Sequence, residues 1–136
     1  MQRAGLKRKE LIMPYSVTIK GKFDAAHHLR NYPGKYANPH GHSFYVELEV
    51  SGDSLDDLGM LIDFNDLKEW LDNILDIFDH LDLNELPMFR TKNPTAENLA
   101  RWIFNEIERR IPDQYKLHPV KVWEGPDSYA SYWGEE

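Results

Sequence analysis

The stretch that most constrains this chain is residues 44–50. Phe44, Val46, Leu48 and Val50 alternate there with Tyr45, Glu47 and Glu49. Successive side chains on a strand point to opposite faces, so the segment reads as a strand with one apolar and one polar face. Tyr15, Val17 and Ile19 alternate with Ser16, Thr18 and Lys20 in the same way and give a first strand. Between the two, residues 29–39 hold Asn31, Pro33, Gly34, Asn38 and Pro39, a loop rich in chain breakers of the kind that often carries function.

The period then changes. Phe64, Leu67, Trp70, Leu71, Ile74, Leu75 and Phe78 recur at three and four, an apolar helical stripe. Asp63 suits the N-cap, and Asp66 places acid in the first turn. A second helix is expected from Thr95 to Ile111, with Leu99, Trp102, Ile103, Ile107 and Ile111 inward and Pro112 ending it. Val120 and Val122 alternate with Lys121 and Trp123. A turn at Gly125, Pro126 and Asp127 then leads into a last strand over 128–133. The order strand-strand-helix-helix-strand-strand predicts an α+β fold, both helices on one face of a four-stranded antiparallel sheet.

The 136 residues suit one domain, here 14–136, preceded by a short extension, 1–13, in which Met13 is an alternative start. A formal net charge of -7 argues against a nucleic-acid binder, and any phosphate-bearing substrate must meet a local cationic pocket. The chain has no cysteine, which excludes disulfides, thiolate metal sites and a cysteine nucleophile. No apolar run approaches 18 residues, so no membrane span is expected. Arg3, Lys7, Arg8 and Lys9 are not followed by an apolar segment, so no signal peptide is expected and the cytoplasm is the default location.

Three features carry chemistry. His40 and His42, two apart at the entry to the second strand, point to the same side, a chelating geometry. His27 ends the first strand and comes opposite them if the strands form a hairpin. Three neutral imidazoles with a fourth position open is a catalytic zinc arrangement. Spacing alone leaves a second reading, in which these are ordinary core and surface histidines. His28 should face away, and His118 lies in a Pro-flanked loop as a structural or exposed residue. Asp79 and His80 follow the first helix. They are either an oriented acid–base pair or part of a helix C-cap. Glu124 shares a strand face with Val120 and Val122, so its carboxylate needs a partner. That partner is an internal cation, or a ligand offering two parallel N–H donors.

FDAAHHL, HGHSF, LIDF leading into a helix, FDHLDLNELP, NPTAENLARWI and VWEGPDSYASY follow one another in the order found in 6-pyruvoyl-tetrahydropterin synthases and 6-carboxy-tetrahydropterin synthases. The chain resembles that family from Tyr15 to Tyr132. The resemblance implies a tunnelling fold, in which the sheets of several subunits close an oligomeric barrel, as a homo-trimer or homo-hexamer with active sites between subunits. It assigns a zinc ion to His27, His40 and His42, proton handling to Asp79 and His80, and the pterin anchor to Glu124, with Thr95 and Glu97 near the ring. Thr95 and Glu97 also suit the cap and first turn of the second helix.

The chain departs from the family at one point. Family members that make 6-pyruvoyl- or 6-carboxy-tetrahydropterin carry a catalytic cysteine in the loop before HGH, and some relatives have a glutamate instead; here the loop has neither, and Tyr36 stands four residues before His40. A phenol is a poor base at neutral pH, but a nearby divalent cation favours its anion, which makes Tyr36 a candidate catalytic group. The function expected is a zinc-dependent lyase acting on the side chain of 7,8-dihydroneopterin triphosphate or a close relative. The alternatives are retro-aldol cleavage to a 6-hydroxymethyl pterin, and a zinc- and pterin-binding protein without turnover.

Overall fold

A computed structural model describes residues 13–135. Of the expected extension only Met13 is included, and its Sδ accepts a hydrogen bond from Ser51 Oγ. The rest of that segment lies outside the described residues.

The alternating segments form two long strands, β1 (Tyr15–His27) and β2 (His40–Gly52). They pair antiparallel over their whole length, from Tyr15 opposite Gly52 to His27 opposite His40. The breaker-rich loop joins them and holds one turn of 3-10 helix at Lys35–Ala37. Helix α1 (Phe64–Leu75) begins where expected, with the Asp63 side chain accepting from the Asn65 N–H. Its buried stripe is Leu67, Leu71, Ile74 and Leu75. Phe64 proves half exposed, because it occupies the first helical position and faces away from the sheet. Phe78 is fully buried, but from the turn that follows the helix.

Strand β3 (Leu81–Asp82) is two residues long and pairs parallel with Ala25 and Ala26 of β1. Helix α2 (Ala96–Glu108) is capped by Thr95, whose Oγ1 accepts from Asn98 N–H. It stops a turn short of the expected Ile111, with residues 109–111 in a tighter turn before Pro112. Strands β4 (Lys116–Leu117), β5 (Val120–Glu124) and β6 (Tyr129–Tyr132) close the chain. Gly125, at φ +94°, makes the turn into β6.

The sheet order is β3-β1-β2-β5-β6, with β4 added beside β2. The expected four antiparallel strands are therefore present, but the sheet is six-stranded and mixed. Both extra strands are two-residue pairings too short to leave a periodic trace in sequence.

Phe23, Phe44, Val46, Leu48, Val50, Val120 and Val122 line the core face under the two helices. Gly21 is where α1 crosses closest: a Cβ there would lie 2.6 Å from Leu75 Cδ1 and 2.9 Å from Leu71 Cδ2. The alternation that buries Phe44 and Val46 continues back through His42 and His40, so both imidazoles share the core-facing side of β2, at its open end. Among the described residues no helix is long and apolar enough to cross a membrane.

Candidate metal centre

The hairpin register brings three histidines together. His27 stands opposite His40, and Ala25 opposite His42. Ring centroids are 4.6 Å apart for His27 and His40, 4.9 Å for His40 and His42, and 5.1 Å for His27 and His42. Strand β5 adds a fourth group. Glu124 pairs with Phe44, so its side chain rises beside His42 on the same face. One ligand atom from each of His27, His40, His42 and Glu124 lies within 4.8 Å of the others.

The backbone determines which ring nitrogens face inward. His27 Nδ1 lies 2.8 Å from Pro94 O, and His40 Nδ1 lies 2.8 Å from Asn38 O. A carbonyl only accepts, so each ring carries its proton on Nδ1 and presents a bare lone pair at Nε2. Those two Nε2 atoms and His42 Nε2 are buried and make no hydrogen bond. Glu124 Oε1 lies 3.0 Å from His42 Nε2 and 3.7 Å from His27 Nε2, close enough for a charge interaction but not aligned as a hydrogen bond. Three buried ring nitrogens without hydrogen bonds, two of them bare acceptors, converge beside a carboxylate, an arrangement that is costly unless a cation satisfies it. The three imidazole nitrogens suit zinc, which in a catalytic site keeps a fourth position open.

Burial of the His27 ring pushes its pKa below the ordinary 6.5, partly offset by the Pro94 carbonyl and Glu124. His42 is lowered in the same way by burial, with Glu124 opposing. Both rings are thus neutral at pH 7, the form that ligates a metal.

The sequence suggested three histidines with the fourth position open, and Glu124 as a separate anchor. The structure instead places Glu124 beside the histidines. The pairing of β5 with β2 would have revealed this, but strand order is not readable from one sequence. His28 lies just past β1 and outside the group, with its backbone N–H donating to Asn84 Oδ1. His118 sits 2.9 Å from Ser51 Oγ, near the far end of β2, a structural role.

Asp79, His80 and Asp24 form a second group. Asp79 Oδ2 is 2.9 Å from His80 Nδ1, and Asp79 Oδ1 accepts from the Asp24 N–H at 2.9 Å. The pair is a contact and not only a sequence neighbourhood. The Asp24 N–H, then the His80 ring, holds the Asp79 carboxyl below its usual range. His80 takes a left-handed φ of +61° while its N–H donates to Asp24 O, and its side chain is largely exposed. A non-glycine residue held at such a φ marks a constrained position. His42 and His80 both line one open cleft of about 620 Å³, together with Asp24 and Asp82.

The exposed Tyr36 packs its ring edge-on to His40, with centroids 5.5 Å apart. Thr95 is the α2 cap, and Glu97 is exposed in the first helical turn.

An α+β domain with a histidine–carboxylate cluster at the open end of its sheet defines a class, and comparisons with known proteins narrow it. The family described as 6-pyruvoyl tetrahydropterin synthase matches residues 16–135. The dihydroneopterin monophosphate aldolase of Pyrococcus furiosus is 34% identical over 113 residues, covering 83% of this chain and 92% of that protein. The 6-carboxy-5,6,7,8-tetrahydropterin synthase of Haemophilus influenzae is 33% identical over 140 residues, covering 87% and 98%. The structure of Caenorhabditis elegans 6-pyruvoyl tetrahydropterin synthase superposes with a TM-score of 0.79 at 28% identity, covering 91% of this chain and 99% of that one. The chain belongs to the 6-pyruvoyl tetrahydropterin synthase family.

Proposed function

We propose that this chain is a zinc-dependent lyase acting on the side chain of a phosphorylated 7,8-dihydroneopterin, and that the bond it breaks is carbon–carbon. The observation that carries the proposal is the set of three buried, unpaired Nε2 atoms beside Glu124. Zinc, when bound there, supplies Lewis-acid polarisation of a substrate hydroxyl.

The choice of bond follows from what the chain lacks. Eliminating triphosphate requires a base strong enough to take a proton from side-chain carbon. The family places a thiol at that step, and this chain has no cysteine. Retro-aldol cleavage asks only for a proton from oxygen. The hydroxyl on the second side-chain carbon loses its proton, the bond between first and second carbons breaks, and the first carbon takes a proton. The products are a 6-hydroxymethyl pterin and a phosphorylated glycolaldehyde. The likeness to an archaeal protein named as a dihydroneopterin monophosphate aldolase supports this direction.

Asp79 and His80 are suited to move the protons. Asp79 occupies His80 Nδ1 and leaves Nε2 as the working atom. Glu124 accepts the two N–H donors of the pterin edge, and Thr95 and Glu97 lie near the ring. Elimination remains a second reading because of one contact: the Tyr36 ring lies against His40, where a metal-activated phenol would serve as the base. The test is the absorbance of dihydroneopterin triphosphate with the metal-loaded protein. A change that a chelator abolishes supports turnover at this centre, and no change in the loaded protein leaves only a binding role.

A further inference from the structure

Strand β1 ends at His27, and its pairing with β3 ends at Ala26 opposite Asp82. Two asparagine side chains continue the ladder beyond that point. Asn84 Oδ1 accepts from the His28 N–H at 2.9 Å, and its Nδ2 donates to His28 O at 3.2 Å. Asn93 Oδ1 accepts from the Arg30 N–H at 2.8 Å, and its Nδ2 donates to Arg30 O at 3.1 Å. Each amide thus replaces a neighbouring strand, giving one acceptor and one donor to a single residue. The register is kept, because His28 meets Asn84 two residues on from Ala26 and Asp82. Arg30 ties the two clamps together, donating to Asn84 O at 3.2 Å and Lys92 O at 2.9 Å.

The second clamp adjoins the metal centre. Asn93 O accepts from Asn98 Nδ2 at 2.8 Å and from the Thr95 N–H at 2.9 Å, which fastens it to the start of α2. The next residue, Pro94, supplies the carbonyl that takes His27 Nδ1–H. The ring and the carbonyl that orients it are therefore each one residue from a clamp. Asn84 is buried, at 5% exposure, so its amide has no other role to play at the surface.

We infer that Asn84 and Asn93 are positioning residues of the metal centre. They fix the segment from His27 to Arg30 against Pro94, so that the His27 ring keeps its proton on Nδ1 and aims a bare Nε2 at the cluster. The inference rests on the metal-centre reading above. Groups that orient a metal-ligating histidine typically contribute 10–100-fold to metal affinity.

The variants Asn84→Asp and Asn93→Asp keep the volume and the acceptor but lose the donor. Two readouts apply, with Ile111→Ala, in the turn beyond the C-terminal end of α2, as a control for general destabilisation. In metal-free protein at pH 7.5, nitrogen-15 shifts of the His27 ring report its tautomer. Cobalt(II) competition against a chromophoric chelator reports affinity. The expected result is a single Nδ1–H tautomer in the native protein and the control, a mixed tautomer in both Asp variants, and roughly 10–100-fold weaker cobalt binding in those variants alone. Folded Asp variants with the native tautomer and native affinity would overturn the inference. If Asn84→Asp does not fold, Asn93→Asp, which is half-buried, decides the matter. If the native protein binds no cobalt, the metal-centre reading fails and the tautomer alone decides the clamp.

Discussion

The histidine cluster should make the metal-free protein sensitive to mild acid. Burial holds His27 and His42 below their ordinary 6.5 in the folded chain, while unfolding returns both to about that value. The unfolded state therefore takes up protons first as the pH falls. Their contribution to stability is complete above 6.5 and is lost progressively as the pH drops from 6.5 toward the folded values. Within that window each ring contributes a slope of at most about 1.4 kcal/mol per pH unit. Asp79 does not interfere, because its carboxyl is held below the ordinary 3.8 and its contribution is lost only in stronger acid. The assay is urea unfolding with a chelator present, at steps from pH 7.5 to 5.5. Stability should fall as the pH drops from 6.5 to 5.5, and His42→Gln should reduce that slope. Stability that stays level or rises from pH 7 to 5.5 would refute the reasoning.

Three further outcomes are expected. Glu124→Gln should keep metal content and weaken pterin binding by a few kcal/mol, since hydrogen bonds to charged groups contribute about 1.5–3 kcal/mol each. Metal lost with affinity intact would make Glu124 a ligand instead of an anchor. If the Tyr36 hydroxyl takes part in the chemistry, Tyr36→Phe should lose as much rate as Tyr36→Ala while still binding substrate, and full turnover by Tyr36→Phe would exclude the hydroxyl. The edges of β6 and of most of β1 are unpaired within the described chain, so a trimer or hexamer that closes them is expected. Light scattering should then give a multiple of 16.0 kDa, and a single species at the monomer mass would contradict it.

The two long strands and both helices were legible because periodicity and caps are local. Phe44 to Val50 could only be half-buried strand, and Asp63 and Thr95 start helices where their side chains satisfy orphan N–H groups. His27, His40 and His42 were legible for the same reason, since a hairpin fixes which residues oppose. What was not legible depends on partners distant in sequence. Glu124 joins the cluster through strand order, and the His27 tautomer depends on the carbonyl of Pro94, 67 residues away. The two amide clamps join residues 56 and 63 apart, and polar spacing gives no sign of them. Phe64 shows the opposite failure, an apolar residue in phase with a stripe that the first turn leaves outside.

The central claim is that the cluster of His27, His40, His42 and Glu124 directs cleavage of a pterin side chain between carbons. The most direct measurement is mass spectrometry of the products formed from 7,8-dihydroneopterin triphosphate and monophosphate by zinc-loaded protein, beside the same protein with His40→Ala and His42→Ala. The account predicts a 6-hydroxymethyl pterin and a phosphorylated glycolaldehyde from the native protein, and neither from the variant. A 6-pyruvoyl or 6-carboxy pterin would contradict the carbon–carbon step. Unaltered native activity and full zinc in the double variant would contradict the site.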